Sequence, residues 1–450
     1  MRTTYILLAP LLAALPTAPL AAQGNGVILL AHVDDGSSYN DIWGYTAPDG
    51  REFAIVGTTD GTQFFDCSDP VNPVQVGFID GPNSLWRDMK TWDQYCYIVS
   101  EGGGSIQIVS LVNPDSPTLV GTAGQSIFSS AHNIAIDTGS GLAYVSGTNN
   151  GLPVFDLSNP VSPAFVGNYS GSYAHDLHVQ NGKAHLAQIY AGDYRIIDAT
   201  PPFASQGSVR TPGHFTHHVW ANASDTLAVT TDEVTGGLAT IYDISNPANI
   251  QQLSTFTVNP ATIPHNAFWV GDRIFCSWYT EGLVVIDASN PSNPTLLGQY
   301  DTSSFSGGGF SGAWGCYPFS PSGVIYVSDI ESGFYILQLD EDTDSILLTG
   351  PGTAQVGAML SYSISSAPAS SPAFLLYSLN QNGSVINGQS FDIGNPIRTA
   401  ATGTTDASGS LAWTVGPVPS AGAGRTVFVE ARVDGPAGTR DSNMLPLSIQ

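Results

Sequence analysis

The chain of 450 residues carries 37 acidic and 12 basic side chains, which gives a formal net charge of −25 at pH 7. A surface this acidic repels nucleic acid and anionic lipid, so these partners are excluded. With 49 Gly, 30 Pro and only 11% charged residues, the composition is typical of a turn-rich all-β chain and excludes a mainly helical one.

The first 22 residues read MRTTYILLAPLLAALPTAPLAA. One arginine precedes an apolar run that ends in small residues, which is the order of a secretory signal peptide, and we predict cleavage near Ala22. A membrane anchor is the alternative, but three prolines interrupt a run that is short for a bilayer span. No second apolar stretch of spanning length follows, so we expect no transmembrane segment after signal removal and a secreted, extracellular, periplasmic or cell-surface location.

A proline-rich phrase then recurs along the chain. It reads DCSDPVNPVQVG at 66, SLVNPDSPTLVG at 110, DLSNPVSPAFVG at 156, DISNPANIQQLS at 243 and DASNPSNPTLLG at 287, with a degraded copy at 198. Successive copies start 42 to 46 residues apart, which is the period of a four-stranded propeller blade. The prolines precede the outermost strand of each blade, where a missing N–H discourages pairing with another molecule.

The repeats predict a seven-bladed β-propeller over residues 23–340. Its innermost strands are expected to begin near Asp41, Asp88, Asn133, Asp176, His218, Asn266 and Ala313. The seventh blade lacks an outer strand, whereas GVILLAHVDD near the N-terminus resembles one. We therefore predict that residues 27–34 complete this blade, so that an N-terminal strand closes the ring and removes its open edges.

The repeat phrase is absent after about residue 341. Residues 341–350 are predicted to be a linker, and residues 351–450 show short apolar runs between Gly, Asn and Pro turns. This pattern predicts a small β-sandwich of the immunoglobulin or fibronectin type III kind. Because this segment contains no Cys and no His, we expect it to be a spacer, adhesion or presentation module.

Four cysteines in an exported chain allow two interpretations. The sequence-near pairs Cys67 with Cys96 and Cys276 with Cys316 would join neighbouring blades, which is one of three possible connectivities. Four buried free thiols are the alternative, since a propeller of this size does not need crosslinks. A cysteine-based zinc or redox site is not expected, because the chain has no CxxC.

One column of the repeat places polar pairs at the start of six predicted inner strands, and five of the nine histidines lie there. Side chains converge on the central channel at this point. The candidate ligand-binding residues at the channel mouth are Asp41, Arg87, Asp88, His132, His175, Asp176, His217, His218 and His265. Neutral imidazoles bind divalent metals, and the candidate metal ligands are His132, His175, His217 and His265. The alternative is that each pair braces its own blade by hydrogen bonds.

A second column repeats acids after the second strand of the blades, and turn formation explains them as solvated loop charges. They are Asp60, Glu101, Asp232, Glu233, Glu281, Asp329 and Glu331. Tryptophans near the inner and second strands either pack between blades or line a sugar or peptide surface. These are Trp43, Trp86, Trp220, Trp269, Trp278 and Trp314.

Several segments, among them DIWGY, SLWRDMK, AHNIAID, GLVVIDASNPSNPTLLG and GAWGCYPFSPSGVIYVSDIESGFYIL, together resemble the choice-of-anchor B family of LVIVD-repeat secreted proteins over residues 39–339. The resemblance implies an extracellular or surface β-propeller and no established catalytic residues. The chain has no GxSxG, HExxH or P-loop motif. We therefore expect a non-enzymatic binding protein for a protein, glycan or small polar ligand, with a divalent metal as candidate cofactor. The alternative is a metal-dependent hydrolase or lyase with its site at the channel mouth.

Overall fold

The computed structural model describes residues 24–340, 346–386, 389–435 and 438–450. They form β-strands, numbered here in chain order, and two single-turn 3-10 helices at Pro247–Asn249 and Ser420–Gly422, with no α-helix in these ranges. No helix in the described part of the chain has the length and apolarity needed to cross a membrane. The chain divides into two compact units between residues 338 and 339. The predicted signal peptide at 1–22 lies outside the described residues.

The first unit contains, within residues 24–340, seven antiparallel sheets. The two N-terminal strands are β1 (Gly24–Asn25) and β2 (Val27–Val33). The first three sheets are β3 (Tyr39–Thr46), β4 (Glu52–Thr58), β5 (Gly61–Asp66) and β6 (Val74–Asp80); β7 (Arg87–Trp92), β8 (Tyr95–Ser100), β9 (Ile106–Ser110) and β10 (Thr118–Ala123); and β11 (Asn133–Asp137), β12 (Leu142–Ser146), β13 (Leu152–Asp156) and β14 (Ala164–Tyr169).

The next two sheets are β15 (Asp176–Gln180), β16 (Lys183–Gln188), β17 (Asp193–Asp198) and β18 (Ser205–Arg210); and β19 (Thr216–Ala221), β20 (Leu227–Asp232), β21 (Ala239–Asp243) and β22 (Gln251–Phe256). The sixth sheet has β23 (Ala267–Val270), β24 (Arg273–Ser277), β25 (Leu283–Asp287), β26 (Thr295–Tyr300) and, beside β26, β1. The seventh has β27 (Ala313–Tyr317), β28 (Val324–Asp329), β29 (Gly333–Leu339) and, beside β29, β2. The pairing of β2 with β29 is the one predicted for residues 27–34.

The sheets follow one another in a closed cycle. We call the first strand of each sheet its inner strand; these strands are β3, β7, β11, β15, β19, β23 and β27. From β3 to β23 each inner strand contacts the next, the sixth sheet contacts β27 through β24, and β27 contacts β3. Hydrophobic cores lie between adjacent sheets: Tyr39 and Ile42 of the first sheet share a core with Tyr326 and Phe334 of the seventh. This arrangement is propeller-like, since each sheet buries both faces against its neighbours.

The recurring phrase has a local physical cause. Its aspartate accepts a hydrogen bond from the backbone N–H two residues on, as Asp156 does from Ser158 at 2.7 Å, and the resulting turn leads to the exposed outer strand. In two copies the glycine of the phrase lies under a proline of the next sheet: a Cβ at Gly77 would be 2.4 Å from Pro117 Cγ, and one at Gly167 would be 3.0 Å from Pro201 Cγ. Glycine and proline therefore recur together because neighbouring sheets approach closely there.

The second unit has eleven described strands. They are β30 (Leu347–Thr349), β31 (Thr353–Ala354), β32 (Leu360–Ser365), β33 (Pro372–Ser378), β34 (Ser384–Ile386), β35 (Gln389–Phe391), β36 (Arg398–Thr404), β37 (Leu411–Val415), β38 (Thr426–Gly435), β39 (Gly438–Asp441) and β40 (Leu445–Ile449). One sheet has the order β30-β32-β37, a larger one β31-β40-β38-β33-β36 with β39 beside β38, and β34 pairs with β35. Tyr362 of the first sheet and Val433 of the second belong to one hydrophobic core.

The linker prediction for 341–350 was too long. Leu347–Thr349 forms β30, and Leu348 is buried in the core of the second unit. The apolar side chains of this short segment explain the difference, because burying them favours pairing with β32 over an exposed linker.

The structure contradicts the disulfide interpretation of the cysteines and agrees with its alternative, since all four cysteines are free and buried. Cys67 lies in the core shared by the first and seventh sheets, whereas Cys96 lies in the core shared by the first and second sheets. The thiols of Cys276 and Cys316 instead contact the backbone carbonyls of Ser277 and Phe275. Burial raises the pKa of the Cys276 and Cys316 thiols, as expected for inert core residues.

Candidate functional site

Four buried histidines from four consecutive sheets lie side by side. His132, His175 and His265 stand just before β11, β15 and β23, and His217 lies at the start of β19. Their ring centroids are 4.2 Å apart for His132 and His175, 4.4 Å for His175 and His217, and 4.2 Å for His217 and His265. We call this set the histidine arc. The predicted metal ligands are therefore adjacent in space, although 133 positions separate the first from the last (265 − 132).

Three members of the histidine arc use Nδ1 to contact an acceptor. His132 Nδ1 lies 2.7 Å from Glu101 Oε1, His175 Nδ1 lies 3.2 Å from the carbonyl of His217, and His265 Nδ1 contacts the carbonyl of Trp314. A carbonyl oxygen can only accept, so the imidazole nitrogen that faces it must carry the proton. In the neutral ring the other nitrogen, Nε2, then retains its lone pair.

These contacts change the alternative interpretation, in which each polar pair braces its own blade by hydrogen bonds. The nitrogens of His175 and His265 reach carbonyls of the next sheet, not of their own. His175 and His265 therefore link neighbouring sheets through Nδ1, and their Nε2 atoms remain available to bind a metal ion. The same histidine can thus brace the fold and serve as a metal ligand. His217 differs, because its Nδ1 is buried without a hydrogen-bond partner in the described structure.

Glu233, which follows β20, completes the arc with a carboxylate. Its oxygens lie 3.8 Å from His217 Nε2 and 3.9 Å from His265 Nε2. One potential ligand atom from each of His175, His217 and Glu233 falls within 4.8 Å of the other two. Tyr279 donates a hydrogen bond of 2.6 Å from its hydroxyl to Glu233 Oε1 and holds this carboxylate in place.

Burial keeps His175, His217 and His265 neutral. It lowers the pKa of His265 to about 3, and it lowers the pKa values of His175 and His217 well below their usual range, with the neighbouring imidazoles adding to the effect. Burial also raises the pKa of Glu233. Neutral imidazoles near pH 7 are the form that binds metal ions.

The second residues of four polar pairs do not belong to the histidine arc. They are Asp41, Asp88, Asp176 and His218. Asp88 accepts hydrogen bonds from Lys90 Nζ at 2.5 Å and from the backbone N–H of Ile134 at 2.8 Å, and so joins the second and third sheets. Asp41 interacts with Asp88, while Asp176 Oδ2 lies 3.7 Å from His218 Nε2. We call Asp41, Asp88, Asp176 and Lys90 the carboxylate cluster; Asp41, Asp176, Lys90 and His218 line a cavity of about 410 Å³.

This cavity, which we call the central cavity, receives side chains from all seven inner strands. Lys90, Gln180 and Asp137 contribute polar groups. An aromatic wall stands with them and consists of Trp43, Trp220, Phe268, Tyr317 and Phe319. Two of the six tryptophans considered in the sequence therefore line a cavity, whereas Trp278 is fully buried in the core.

Arg87 is the predicted site residue that belongs neither to the histidine arc, nor to the carboxylate cluster, nor to the lining of the central cavity. Its guanidinium is buried and donates hydrogen bonds to the carbonyls of Thr58 at 3.1 Å and Pro82 at 2.6 Å. The side chain therefore connects the end of β4 to the loop that precedes β7. Asn40, the equivalent residue of the first sheet, likewise donates to the carbonyl of Ser84.

Sequence reasoning missed Glu101, Glu233 and Lys90 as site residues. The first two belong to the acidic column that was interpreted as solvated loop charges. This interpretation was wrong for Glu233, which is largely buried, whereas Glu101 is exposed and in addition contacts His132. It was also wrong for Asp232 and Asp329, which are buried and accept hydrogen bonds from residues such as Thr211 and Thr302. The sequence contained one signal for these acids: in each repeat, the acidic column lies one hairpin after the histidine column.

Comparison with known proteins supports the repeat assignment. The LVIVD repeat matches residues 130–171 and 277–302. The first segment covers the strands of the third sheet and the second covers β25 and β26 of the sixth. A search of the curated proteins finds no match.

Proposed function

We propose that this protein is an exported seven-bladed β-propeller that binds a divalent transition-metal ion at one end of its central channel. Three observations support seven blades: seven sheets within residues 24–340, their cyclic contacts, and one cavity lined by all seven inner strands. The pairing of β2 with β29 supports closure by the N-terminal strand. The two sheets of the second unit and their common core support a β-sandwich.

One observation carries the metal proposal: the Nδ1 atoms of His132, His175 and His265 already face acceptors. Histidines that bind a metal through Nε2 almost always donate their Nδ1–H to a carboxylate or carbonyl, which fixes the tautomer and the ring orientation. Simple bracing would not require these imidazoles to converge with a carboxylate. Bracing by itself therefore leaves the position of Glu233 unexplained.

The donor set selects the class of ion. Imidazole nitrogens with one carboxylate suit zinc, copper, iron or nickel, whereas calcium and magnesium prefer oxygen ligands. Two ligands of one zinc ion can be at most about 4.2 Å apart. Ligand atoms within 4.8 Å of one another therefore need only small side-chain movements to bind a single ion.

Zinc titration of chelator-treated protein tests this proposal. We expect one Zn²⁺ per chain by calorimetry and by elemental analysis. His217→Ala should weaken binding by more than about 100-fold and Glu101→Ala by about 10- to 100-fold, the usual cost of losing a ligand's hydrogen-bond partner. His214→Asn is the matched control, because His214 is exposed and has a φ of 54° that Asn tolerates.

Two results would contradict the metal proposal. One is wild-type protein that binds neither Zn²⁺, Cu²⁺ nor Fe²⁺. The other is a His217→Ala variant that binds the metal as tightly as the His214→Asn control. Thermal unfolding of each variant checks that a loss of binding does not come from a loss of fold.

A metal-dependent hydrolase or lyase is the second candidate function. It is favoured by the cluster of His175, His217 and Glu233, because catalytic zinc sites have three protein ligands and keep one position for water or substrate. X-ray absorption on the zinc-loaded protein separates the two functions. Four or more protein ligands would indicate a closed binding site, whereas three ligands and one water would favour catalysis.

Export and family membership are further parts of the proposal. The order of charge, apolar run and small residues at 1–22 supports a secreted or cell-surface location. The LVIVD matches and the motifs over residues 39–339 support membership of the choice-of-anchor B family. Amino-terminal sequencing of exported protein should begin near residue 23, and recovery of intact Met1 would contradict export with cleavage.

A further inference from the structure

The central cavity has more buried acidic than basic groups. Asp41 and Asp176 line it, and Asp88 lies beside Asp41. Lys90 is the only lysine or arginine among its described lining residues, and the two histidines there, His178 and His218, are kept neutral by burial, which lowers their pKa values. Lys90 Nζ is already paired with Asp88 Oδ1 at 2.5 Å. Two buried carboxyl groups thus remain without a cation of their own.

The aromatic wall stands in the same cavity. Trp220 contacts Phe268 and Phe319 with ring centroids 4.9 Å and 5.4 Å apart, and Trp43 contacts Tyr317 at 5.0 Å. All except Phe268 are partly exposed. Aromatic surface of this kind attracts cations through the negative faces of the rings.

Lys90 demonstrates that the wall accommodates a cation. Its ammonium group lies 4.4 Å from the centroid of the Trp43 ring, between that ring and the carboxylate of Asp88. Asp41, Asp176 and the other aromatic rings offer the same combination of carboxyl group and ring face, but the described lining residues supply no second lysine or arginine to occupy it. A volume of about 410 Å³ is within the range of small-molecule sites.

We propose that the central cavity is a binding site for a small organic cation, an amine whose ammonium group pairs with Asp41 and Asp176 and whose apolar part packs on the aromatic wall. This site is distinct from the metal site at the histidine arc. It uses no arc residue and does not depend on a bound metal ion. The protein would then bind two ligands along one channel.

Two other ligand classes fit the cavity less well. An organic anion would approach Lys90, but Lys90 is already paired with Asp88, and Asp41 and Asp176 line the same space, where burial disfavours any further negative charge. A neutral sugar would stack on the aromatic rings but would leave the excess of carboxyl groups without a cation.

Calorimetry on chelator-treated, metal-free protein tests the amine site separately from the metal site. The probes are phenethylamine, tryptamine and choline as cations, with 2-phenylethanol as the neutral analogue of the first, phenylacetate as the anion and methyl glucoside as the sugar. We expect at least one amine to bind, and phenethylamine to bind about tenfold or more tightly than 2-phenylethanol.

At pH 8, where Asp41 is ionised, Asp41→Asn should weaken amine binding by about tenfold or more, because Asn keeps the shape of Asp but not its charge. Asp137→Asn is the matched control: it removes an acid that also lines the cavity but that is only half-buried, where solvent screening reduces the effect of charge. The comparison of amine with alcohol on the wild type remains decisive if the Asp41 variant does not fold.

Four results would overturn the amine site. They are no binding of any of the three amines at millimolar concentration, equal affinity for phenethylamine and 2-phenylethanol, preferential binding of phenylacetate or methyl glucoside, and a folded Asp41→Asn variant with wild-type amine affinity. Zinc binding measured on the same preparations shows whether the metal site fails independently.

Discussion

Replacing Asp41 by Asn should change how the stability of the protein depends on pH. Asp41 is buried, and burial together with repulsion from Asp88 raises the pKa of its carboxyl group from 3.8 to about 7. The folded protein therefore holds a proton on Asp41 at pH values where the unfolded chain has released it. Since the folded state binds more protons, the free energy of unfolding falls as pH rises from about 4 to about 7.

The magnitude follows from the difference between the two pKa values. One pKa unit corresponds to about 1.4 kcal/mol, so a difference of about three units gives an upper limit of about 4 kcal/mol. Below about pH 4 Asp41 is protonated in the folded and the unfolded protein, so no stability is lost. Above about pH 7 Asp41 is ionised in both, and the loss of stability is complete. Asn cannot titrate, so Asp41→Asn should gain stability relative to the wild type by up to about 4 kcal/mol between pH 4 and pH 8.

Urea unfolding at several pH values measures this difference. Seven of the eight tryptophans precede residue 340, so their fluorescence reports mainly on the first unit. Asp88, Lys90 and Asp176 are present in both proteins, and subtracting the two curves isolates the change at position 41. Parallel wild-type and variant curves from pH 4 to pH 8 would refute the raised pKa and the buried carboxylate cluster behind it.

Three further predictions concern the fold. Deleting residues 24–33 should lower the free energy of unfolding by several kcal/mol in denaturant titrations, because the edge of β29 and its apolar face become exposed; an unchanged midpoint would contradict ring closure. Gly77→Ala should cost about 1 to 3 kcal/mol in the same assay because its Cβ would overlap Pro117, whereas Gly309→Ala, with open space around it, should cost far less. A fragment of residues 346–450 should show cooperative thermal unfolding by circular dichroism, since it has its own core; a fragment without a transition would argue against an independent unit.

The sequence by itself determined the periodic part of this protein. A step of 42 to 46 residues, four short alternating strands in each step and proline before each outer strand are local patterns. They predicted inner strands within about two residues of their starts, including β7 at Arg87 and β27 at Ala313. The sequence also predicted the pairing of β2 with β29. The last repeat lacks an outer strand and the N-terminal segment resembles one, so the second can complete the first.

The sequence also placed the histidines in one column of the repeat, and a column of a propeller repeat maps to one ring of positions in space. It could not assign their roles, because the role of an imidazole depends on which nitrogen faces an acceptor. For His175 and His265 that acceptor is a backbone carbonyl of the next sheet, 42 or 49 residues away. No local pattern encodes such a contact.

Only the tertiary structure decided which acids belong to the sites. Glu101 and Glu233 look like the turn acids of their column, and Lys90 looks like a solvated strand residue. Folding brings Glu233 beside two imidazoles and Lys90 between Asp88 and Trp43. The physical reason is burial: the energy of a charge depends on its solvation and its nearest partners, and both are set by chain segments tens of residues apart that meet only when the sheets close into a cycle.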